Sequence, residues 1–194
     1  MHFQTLFFVA LACALCWVNA DGSASQLDES GIEIRSGDEG VTGNDLEDRA
    51  FNAFSQECLK AHNDYRSKHG VPPLALDPTV TAIAENWAKT LAARNSFFHS
   101  GTQGYGENLY ASWGTQVTGK IPVDSFYAEI KDYNFNAPGF SMKTGHFTQV
   151  VWKSSKLMGV GVAKGSNGVT YVVVNYYPPG NYYGQFPANV PRPL

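Results

Sequence analysis

The sequence predicts an α+β fold in which helices flank a small antiparallel sheet. Two β-type runs, Leu157–Ala163 and Val169–Tyr177, are joined across a turn that contains Asn167 and Gly168, and this dipeptide favours a tight hairpin. Two earlier segments carry apolar residues at helical spacing. Hydrophobic residues make up 43% of the 194 residues, which is enough to bury a core.

The first two helices have recognisable ends. Ser55 can cap a helix that runs through about His69, and Gly70 ends it. Asp77 then provides an N-cap and Pro78 the first helical position of a second helix. The apolar stripe of that helix consists of Val80, Ile83, Ala84, Trp87, Ala88 and Leu91.

The remaining elements follow from shorter patterns. Glu107–Tyr110 reads as a short strand after a glycine-rich stretch, and a third helix begins near Pro122. Asp132–Gly145 has the composition of a long loop, and Phe147–Lys153 that of a short helix. The run from residue 169 to 177 is apolar on both faces, which predicts a central strand covered by helices on both sides.

Charge divides the chain into an acidic segment and a mildly basic one. The net charge is -3, from 14 Lys and Arg against 17 Asp and Glu. Residues 21–57 hold ten acids and two bases, whereas residues 58–194 hold twelve bases and seven acids. We expect an acidic disordered arm or pro-segment over residues 21–53 and one folded domain over residues 54–194. The scattered basic residues argue against a nucleic-acid partner and leave peripheral contact with an anionic membrane open.

Residues 1–20 have the pattern of a signal peptide. The run LFFVALACALCWV, residues 6–18, is uncharged, too short for an ordinary membrane span, and followed by Ala20 in a small-x-small pattern. We therefore expect a secreted, extracellular protein. Cys13 and Cys16 would leave with the signal, so Cys58 would remain as a buried, inert thiol and the mature chain would lack an internal disulfide.

Four polar residues beside glycine-rich turns are the candidates for chemistry: His99, Glu107, Glu129 and His146. Imidazole and carboxylate groups suit a divalent metal such as zinc, and they equally suit general acid–base catalysis. Their spacing matches no local metal motif. From the residues alone, polar side chains at loop edges explain the pattern as well.

Three sequence blocks resemble the signature blocks of the CAP superfamily of cysteine-rich secretory, antigen 5 and pathogenesis-related 1 proteins. They are residues 106–109 (GENL), 145–152 (GHFTQVVW) and 175–182 (NYYPPGNY). The resemblance covers residues 54–190 and is strongest to the Golgi-associated plant-pathogenesis-related branch, notably across residues 129–135. It implies a three-layer α-β-α sandwich with a central cleft. Many secreted members carry a cysteine where this chain has Val174.

The resemblance also implies roles for the four polar residues. They correspond to the family's cleft tetrad, with His99 and His146 as ligands of zinc or another divalent metal. Glu107 and Glu129 would then bind through water or orient the imidazoles. The family pattern makes His62 structural.

Two classes of function are consistent with this resemblance. The first is a non-enzymatic binding protein for a sterol, another lipid or a protein receptor, with homodimerisation as a further option. Tyr133, Phe135 and Phe140 lie in a loop suited to an apolar lip. The second is a hydrolase that uses Ser112 with His99 and Glu107, or a metal-activated water. Binding is the function we expect, since the sequence around Ser112 has no nucleophile elbow.

Overall fold

The computed structural model describes Trp17–Val18, Ala24–Leu27, Glu33–Ile34 and residues 43–194. The chain divides into two compact units, residues 1–46 and 47–194. In the first unit, strands β1 (Trp17–Val18), β2 (Ala24–Leu27) and β3 (Glu33–Ile34) pair antiparallel in that order. Most of the predicted signal peptide lies outside the described residues, as do residues 21–23, 28–32 and 35–42 of the predicted acidic arm.

From residue 43 onward the chain alternates helices and strands. In chain order the elements are α1 (Gly43–Lys68), β4 (Ala75–Leu76), α2 (Pro78–Arg94), β5 (Gly106–Trp113), α3 (Lys120–Tyr127), a 3-10 helix (Ala128–Asp132), α4 (Gly145–Val150), β6 (Leu157–Lys164), β7 (Val169–Tyr177) and α5 (Phe186–Asn189). Each predicted helix and strand of this part is present. Helix α1 begins at Gly43, twelve residues before the expected start at Ser55. No helix among the described residues is long and apolar enough to cross a membrane.

The second sheet has four strands in the order β4-β6-β7-β5. Its β6–β7 and β5–β7 pairs are antiparallel, and the turn between β6 and β7 contains Asn167 and Gly168 as expected. Strand β4 instead runs parallel to β6, with Ala75 opposite Leu157, so the sheet is mixed rather than wholly antiparallel. Two residues are too few to show a strand period, which is why the sequence did not predict β4.

Strand β7 is covered on both faces, which confirms the central strand and the three-layer α-β-α sandwich. Tyr171 and Val173 pack against helix α2. Val172, Val174 and Tyr176 face the opposite way, into a larger core cluster that contains residues of α1, α3 and α4. A strand buried on both faces loses the alternation of apolar and polar residues that a half-exposed strand shows.

Helix α2 lies directly on strand β6. A Cβ at Gly159 would stand 2.1 Å from the backbone nitrogen of Thr81, and one at Gly161 would stand 2.3 Å from the carbonyl carbon of Ala84. Glycine at these two positions therefore allows the helix backbone to approach the strand closely. The predicted N-cap is also confirmed, because Asp77 Oδ1 accepts a hydrogen bond of 2.9 Å from the backbone N–H of Val80.

A buried chain of hydrogen bonds joins helix α1 to the sheet. The Nδ1–H of His62 donates to the carbonyl of Cys58 at 2.8 Å, so its Nε2 is free to accept from the hydroxyl of Tyr176, also at 2.8 Å. Asn108 Nδ2 donates to the same hydroxyl at 3.1 Å. All four residues are buried, and burial raises the pKa of the Cys58 thiol, as expected for an inert cysteine.

The guanidinium of Arg66, on α1, is fully buried among carbonyl groups. Its Nε donates to Pro72 O at 2.7 Å, Nη1 donates to Val150 O and Trp152 O at 2.9 Å each, and Nη2 donates to Ser155 O at 3.1 Å. These oxygens include the carbonyl group of Val150 at the C-terminal end of helix α4, where a cation also opposes the helix dipole. Burial lowers the pKa of Arg66 to about 10, which keeps it charged at neutral pH.

Replacement of Arg66 by Met or by Lys is expected to lower the free energy of unfolding by about 3 kcal/mol or more. Methionine removes the donor of four buried carbonyl groups, of which only Trp152 O keeps a backbone partner, the N–H of Ser155 at 3.2 Å. A lysine ammonium cannot reach all four. Urea unfolding followed by circular dichroism measures the change. Arg94→Met, at an exposed position of α2, is the matched control and is expected to stay within about 0.5 kcal/mol of wild type. A variant of Arg66 as stable as this control would contradict the assigned role.

Stability should also fall in mild acid because of His62. Burial lowers the pKa of this imidazole to about 4 in the folded protein, compared with about 6.5 in an unfolded chain. The unfolded state therefore binds more protons between these values. The stability that neutral His62 contributes is complete above pH 6.5 and is lost as the pH falls towards 4, by up to about 3 kcal/mol.

The measurement is the free energy of unfolding in urea at intervals from pH 7 to pH 4, for wild type and for His62→Gln, which does not titrate. Carboxylates contribute equally to both profiles, so the difference between them isolates His62. Two parallel profiles would show that His62 does not titrate as its burial predicts.

Candidate functional site

His99 is held beside the sheet by a carboxylate on β5. Its Nδ1–H donates to Glu107 Oε1 at 2.7 Å, and the backbone N–H of Ser100 donates to the same oxygen at 2.9 Å. The segment that carries His99 is tied to α2, since the indole N–H of Trp87 donates to the carbonyl of Phe98 at 3.0 Å. The site residue His99 is thus positioned jointly by helix α2 and strand β5.

The Glu107 carboxylate is buried, with 9% of its side chain exposed. Burial by itself raises the pKa of Glu107, but the hydrogen bonds from His99 and Ser100 outweigh burial and lower the pKa below its ordinary value. The hydrogen bond to Glu107 likewise raises the pKa of His99, in spite of partial burial of the ring. The pair therefore places an ionised carboxylate behind the imidazole at neutral pH.

His146 forms a second pair of the same kind with Glu129. Its Nδ1–H donates to Glu129 Oε1 at 2.7 Å. The other carboxylate oxygen accepts the backbone N–H groups of His146 and Phe147 at 3.0 Å each, and so caps the start of helix α4. The imidazole ring also stacks on Phe126, with 5.1 Å between ring centroids and 13° between planes.

Both imidazoles line one open cleft of about 200 Å³. Its lining residues are His99, Glu107, Asn108, Phe140, Met142, Gly145, His146 and Asn181. A carboxylate only accepts hydrogen bonds, so in each neutral imidazole the proton sits on Nδ1 and Nε2 keeps its lone pair. Two nitrogen donors, each oriented by its own carboxylate, therefore belong to the same cleft.

The cleft is connected to the buried core through Asn108. Its Nδ2 donates to the carbonyl of His146 at 3.1 Å and to the hydroxyl of Tyr176 at 3.1 Å. Asn181 Nδ2 donates to the carbonyl of Gly145 at 2.9 Å, on the other side of the same helix start. The sequence pattern predicted no role for Asn108 or Asn181, although both lie inside the blocks that carry the family resemblance.

The donor set fits a metal ion with two protein ligands. Among residues 43–194 and the short strands before them, no group of three or more His, Cys, Asp and Glu side chains converges on a point. Within the same part of the chain, Glu107 Oε2 is buried and has no hydrogen-bond partner. A cation held by the imidazoles would have this free anionic oxygen nearby, and would keep coordination positions open for water or a ligand.

Ser112 is not brought to the His99–Glu107 pair. It is five residues beyond Glu107 on strand β5, so the two side chains lie on opposite faces of the strand. The separation along the strand is about 16 Å. Ser112 Oγ is hydrogen-bonded to Thr115 Oγ1 at 2.7 Å instead.

The three aromatic residues of the predicted lip are placed differently from one another. Tyr133 is buried and Phe135 is partly buried, and both pack against Phe147 in the core. Phe140 is 42% exposed and lines the cleft, where its ring lies over Gly145. Met142, for which the sequence pattern predicted no role, lines the same cleft and is 85% exposed.

Comparisons with known proteins agree on one family. The model of the "CAP: Cysteine-rich secretory protein family" matches residues 59–176. The chain is 47% identical over 150 residues to the human Golgi-associated plant pathogenesis-related protein 1, covering 74% of this chain and 96% of that protein. It is 35% identical over 190 residues to a pathogenesis-related protein of PR-1 type from Sambucus nigra, covering 96% and 97%. The structure resembles that of NaASP2 with Zn2+, with a TM-score of 0.59, 24% identity, and 74% and 89% of the two chains covered.

Proposed function

The chain belongs to the CAP family of cysteine-rich secretory proteins, and from this we propose that it is a non-enzymatic binding protein whose cleft takes up a divalent metal ion and an apolar ligand. One observation carries the proposal. His99 and His146 line the same cleft, and each has its Nδ1 engaged by a separate carboxylate. This arrangement fixes the tautomer that leaves Nε2 available to a metal.

The metal would be held by His99 and His146, with zinc as the reference ion because imidazole nitrogen is one of its usual ligands. When bound, the ion supplies positive charge that can attract an anionic or polar group of a ligand. The protein's own contribution is to hold each imidazole through a hydrogen bond of 2.7 Å from Nδ1 to a carboxylate, that of Glu107 or that of Glu129. Glu129 also caps helix α4, so loss of its carboxylate would affect both the imidazole and the backbone of His146.

The apolar part of the ligand would contact Phe140 and Met142, which line the same cleft and are both exposed. Large exposed apolar side chains that border a cleft are typical of a binding surface. A sterol or another lipid combines a polar group with an apolar body, and would match a metal-binding floor beside an apolar rim. Tyr133 and Phe135 would support this rim from the core rather than contact the ligand.

Hydrolysis by Ser112 is not proposed, because Ser112 lies on the face of β5 opposite to Glu107 and bonds to Thr115.

We also propose that the protein is secreted, on the basis of the signal-peptide pattern of residues 1–20. Mass spectrometry of protein from the medium of expressing cells tests it, and a protein retained in those cells with residues 1–20 attached would contradict it.

We expect Zn²⁺ to bind the wild-type protein with a stoichiometry of one, and His99→Ala and His146→Ala each to weaken binding by about 10-fold or more. Isothermal titration calorimetry measures both quantities. Ser112→Ala, which changes a hydroxyl outside the cleft, is the matched control and should bind Zn²⁺ as the wild type does. Equal zinc heats for wild type and the double histidine variant would remove the metal from the proposal.

We expect the protein to retain cholesterol or palmitate, and Phe140→Ser to weaken retention by about 10-fold, since burial of a phenyl ring contributes about 1.5–3 kcal/mol. The measurement is retention of radiolabelled lipid by the immobilised protein. Trp113→Ser is the matched control because Trp113 is 74% exposed but stands at the far end of β5 from Glu107. A wild-type protein that retains neither lipid, or a Phe140 variant that binds like the control, would contradict lipid binding at this cleft.

A further inference from the structure

The loop that borders the cleft has few attachments to the rest of the domain. We call residues 134–143 the rim loop, because Phe140 and Met142 within it line the cleft. Within the described part of the chain, the hydrogen bonds of the rim loop stay among residues 134–144 with one exception. The exception is Asn136, whose side-chain oxygen accepts a hydrogen bond from the guanidinium of Arg192.

Arg192 contacts the rim loop at a second residue. The central carbon of its guanidinium lies 5.4 Å from the ring centroid of Phe135, a distance at which a cation is attracted to an aromatic face. The ring of Phe135 also packs against Phe147 in the core, with 6.2 Å between ring centroids. One guanidinium therefore joins the part of the loop that is anchored in the core to the part that is not.

The backbone on both sides of Arg192 is fixed to the end of helix α1. The carbonyl of Pro191 accepts a hydrogen bond of 2.7 Å from Nδ1–H of His69, whose side chain is buried. The backbone N–H of Leu194 donates to the carbonyl of Lys68 at 2.9 Å. Because residues on either side of Arg192 are anchored, its guanidinium reaches the loop from a defined position.

Packing contributes little to holding the outer part of the rim loop. Phe140 is 42% exposed and Met142 is 85% exposed. Met142 belongs to a turn in which the N–H of Thr144 donates to the carbonyl of Ser141 at 3.1 Å, a bond that orders the turn but does not attach it to another element. A segment with few buried apolar contacts opens at a low free-energy cost, so its position depends on the few attachments it has.

We propose that Arg192 is a positioning residue for the cleft. Through Phe135 and Asn136 it holds the rim loop where Phe140 and Met142 meet an apolar ligand. Arg192 is not among the residues that line the cleft, so it acts through the loop and not by contact with the ligand. Without the guanidinium the loop is ordered only when the ligand binds, which lowers the affinity. This inference rests on the proposed binding function and names a residue that controls it.

The first test is hydrogen exchange in the ligand-free protein, followed by NMR at the backbone amide of Ala137 in the rim loop. Arg192→Met removes the cation and the donor but keeps an unbranched side chain. We expect it to speed exchange at Ala137 by about fivefold, a modest effect because Arg192 is exposed. Arg94→Met, the same substitution at an exposed position of α2, is the matched control and should leave this rate unchanged.

A second variant tests whether the contact itself is responsible. Asn136→Asp replaces a neutral acceptor by a carboxylate, which should strengthen the contact with Arg192. Exchange at Ala137, corrected for the intrinsic rate of each sequence, should slow by about threefold. This gain should disappear in the double variant Asn136→Asp/Arg192→Met, and in wild-type Arg192 background at about 1 M NaCl. A general change in stability would not depend on Arg192 in this way.

Retention of radiolabelled cholesterol or palmitate by the immobilised proteins connects the loop to the ligand. We expect Arg192→Met to weaken retention by about threefold and Arg94→Met to leave it unchanged. If exchange at Ala137 is equal in wild type and Arg192→Met, the inference is wrong and the proposed function stands. If exchange is faster but retention is unchanged, Arg192 has only a structural role and the inference is also wrong. If the wild type retains neither lipid, the proposed function fails, and the role of Arg192 in binding fails with it.

Discussion

The buried guanidinium of Arg66 is the constraint on which the arrangement of this domain depends. It donates hydrogen bonds to carbonyl groups of the segment after α1, of the end of α4 and of the turn before β6. A guanidinium without a carboxylate partner is tolerated in the core because every oxygen around it is oriented by the backbone. Helix α4 is only six residues long and has little stability of its own. Arg66 at its end and Glu129 at its start therefore hold His146 in place.

The candidate site uses the same interactions as the fold. Glu129 caps helix α4 and orients His146 with one carboxylate, and Glu107 fixes the backbone at Ser100 and orients His99 in the same way. Asn108 then joins the carbonyl of His146 to the buried Tyr176. Because Glu107 and Glu129 each also accept a hydrogen bond from a backbone N–H, the two imidazoles are held in place before any ligand binds. Such preorganisation lowers the cost of binding.

Local signals in the sequence predicted much of the fold. The Asp77–Pro78 helix start, the hairpin turn at Gly168 and the doubly covered β7 each depend on neighbouring residues, and each is present. The four polar residues stood out beside glycine-rich turns, but only the family resemblance predicted that they share one cleft, since residues 99, 107, 129 and 146 come together only after the chain folds. Two features had no sequence signal. Strand β4 is too short to show a period, and the exposure of Met142 depends on a turn that only the tertiary structure reveals.

The glycines of β6 also affect the geometry of the candidate site. Gly159 and Gly161 set the height of helix α2 above the sheet, and the segment that carries His99 follows α2 and is bonded to it through Trp87. His146 is positioned from the opposite layer. The distance between the two imidazoles therefore depends on how closely α2 packs on the sheet. A methyl group added to either of these two glycines would change that distance. Divergence in metal preference within such a fold can arise at glycines that never touch the ion.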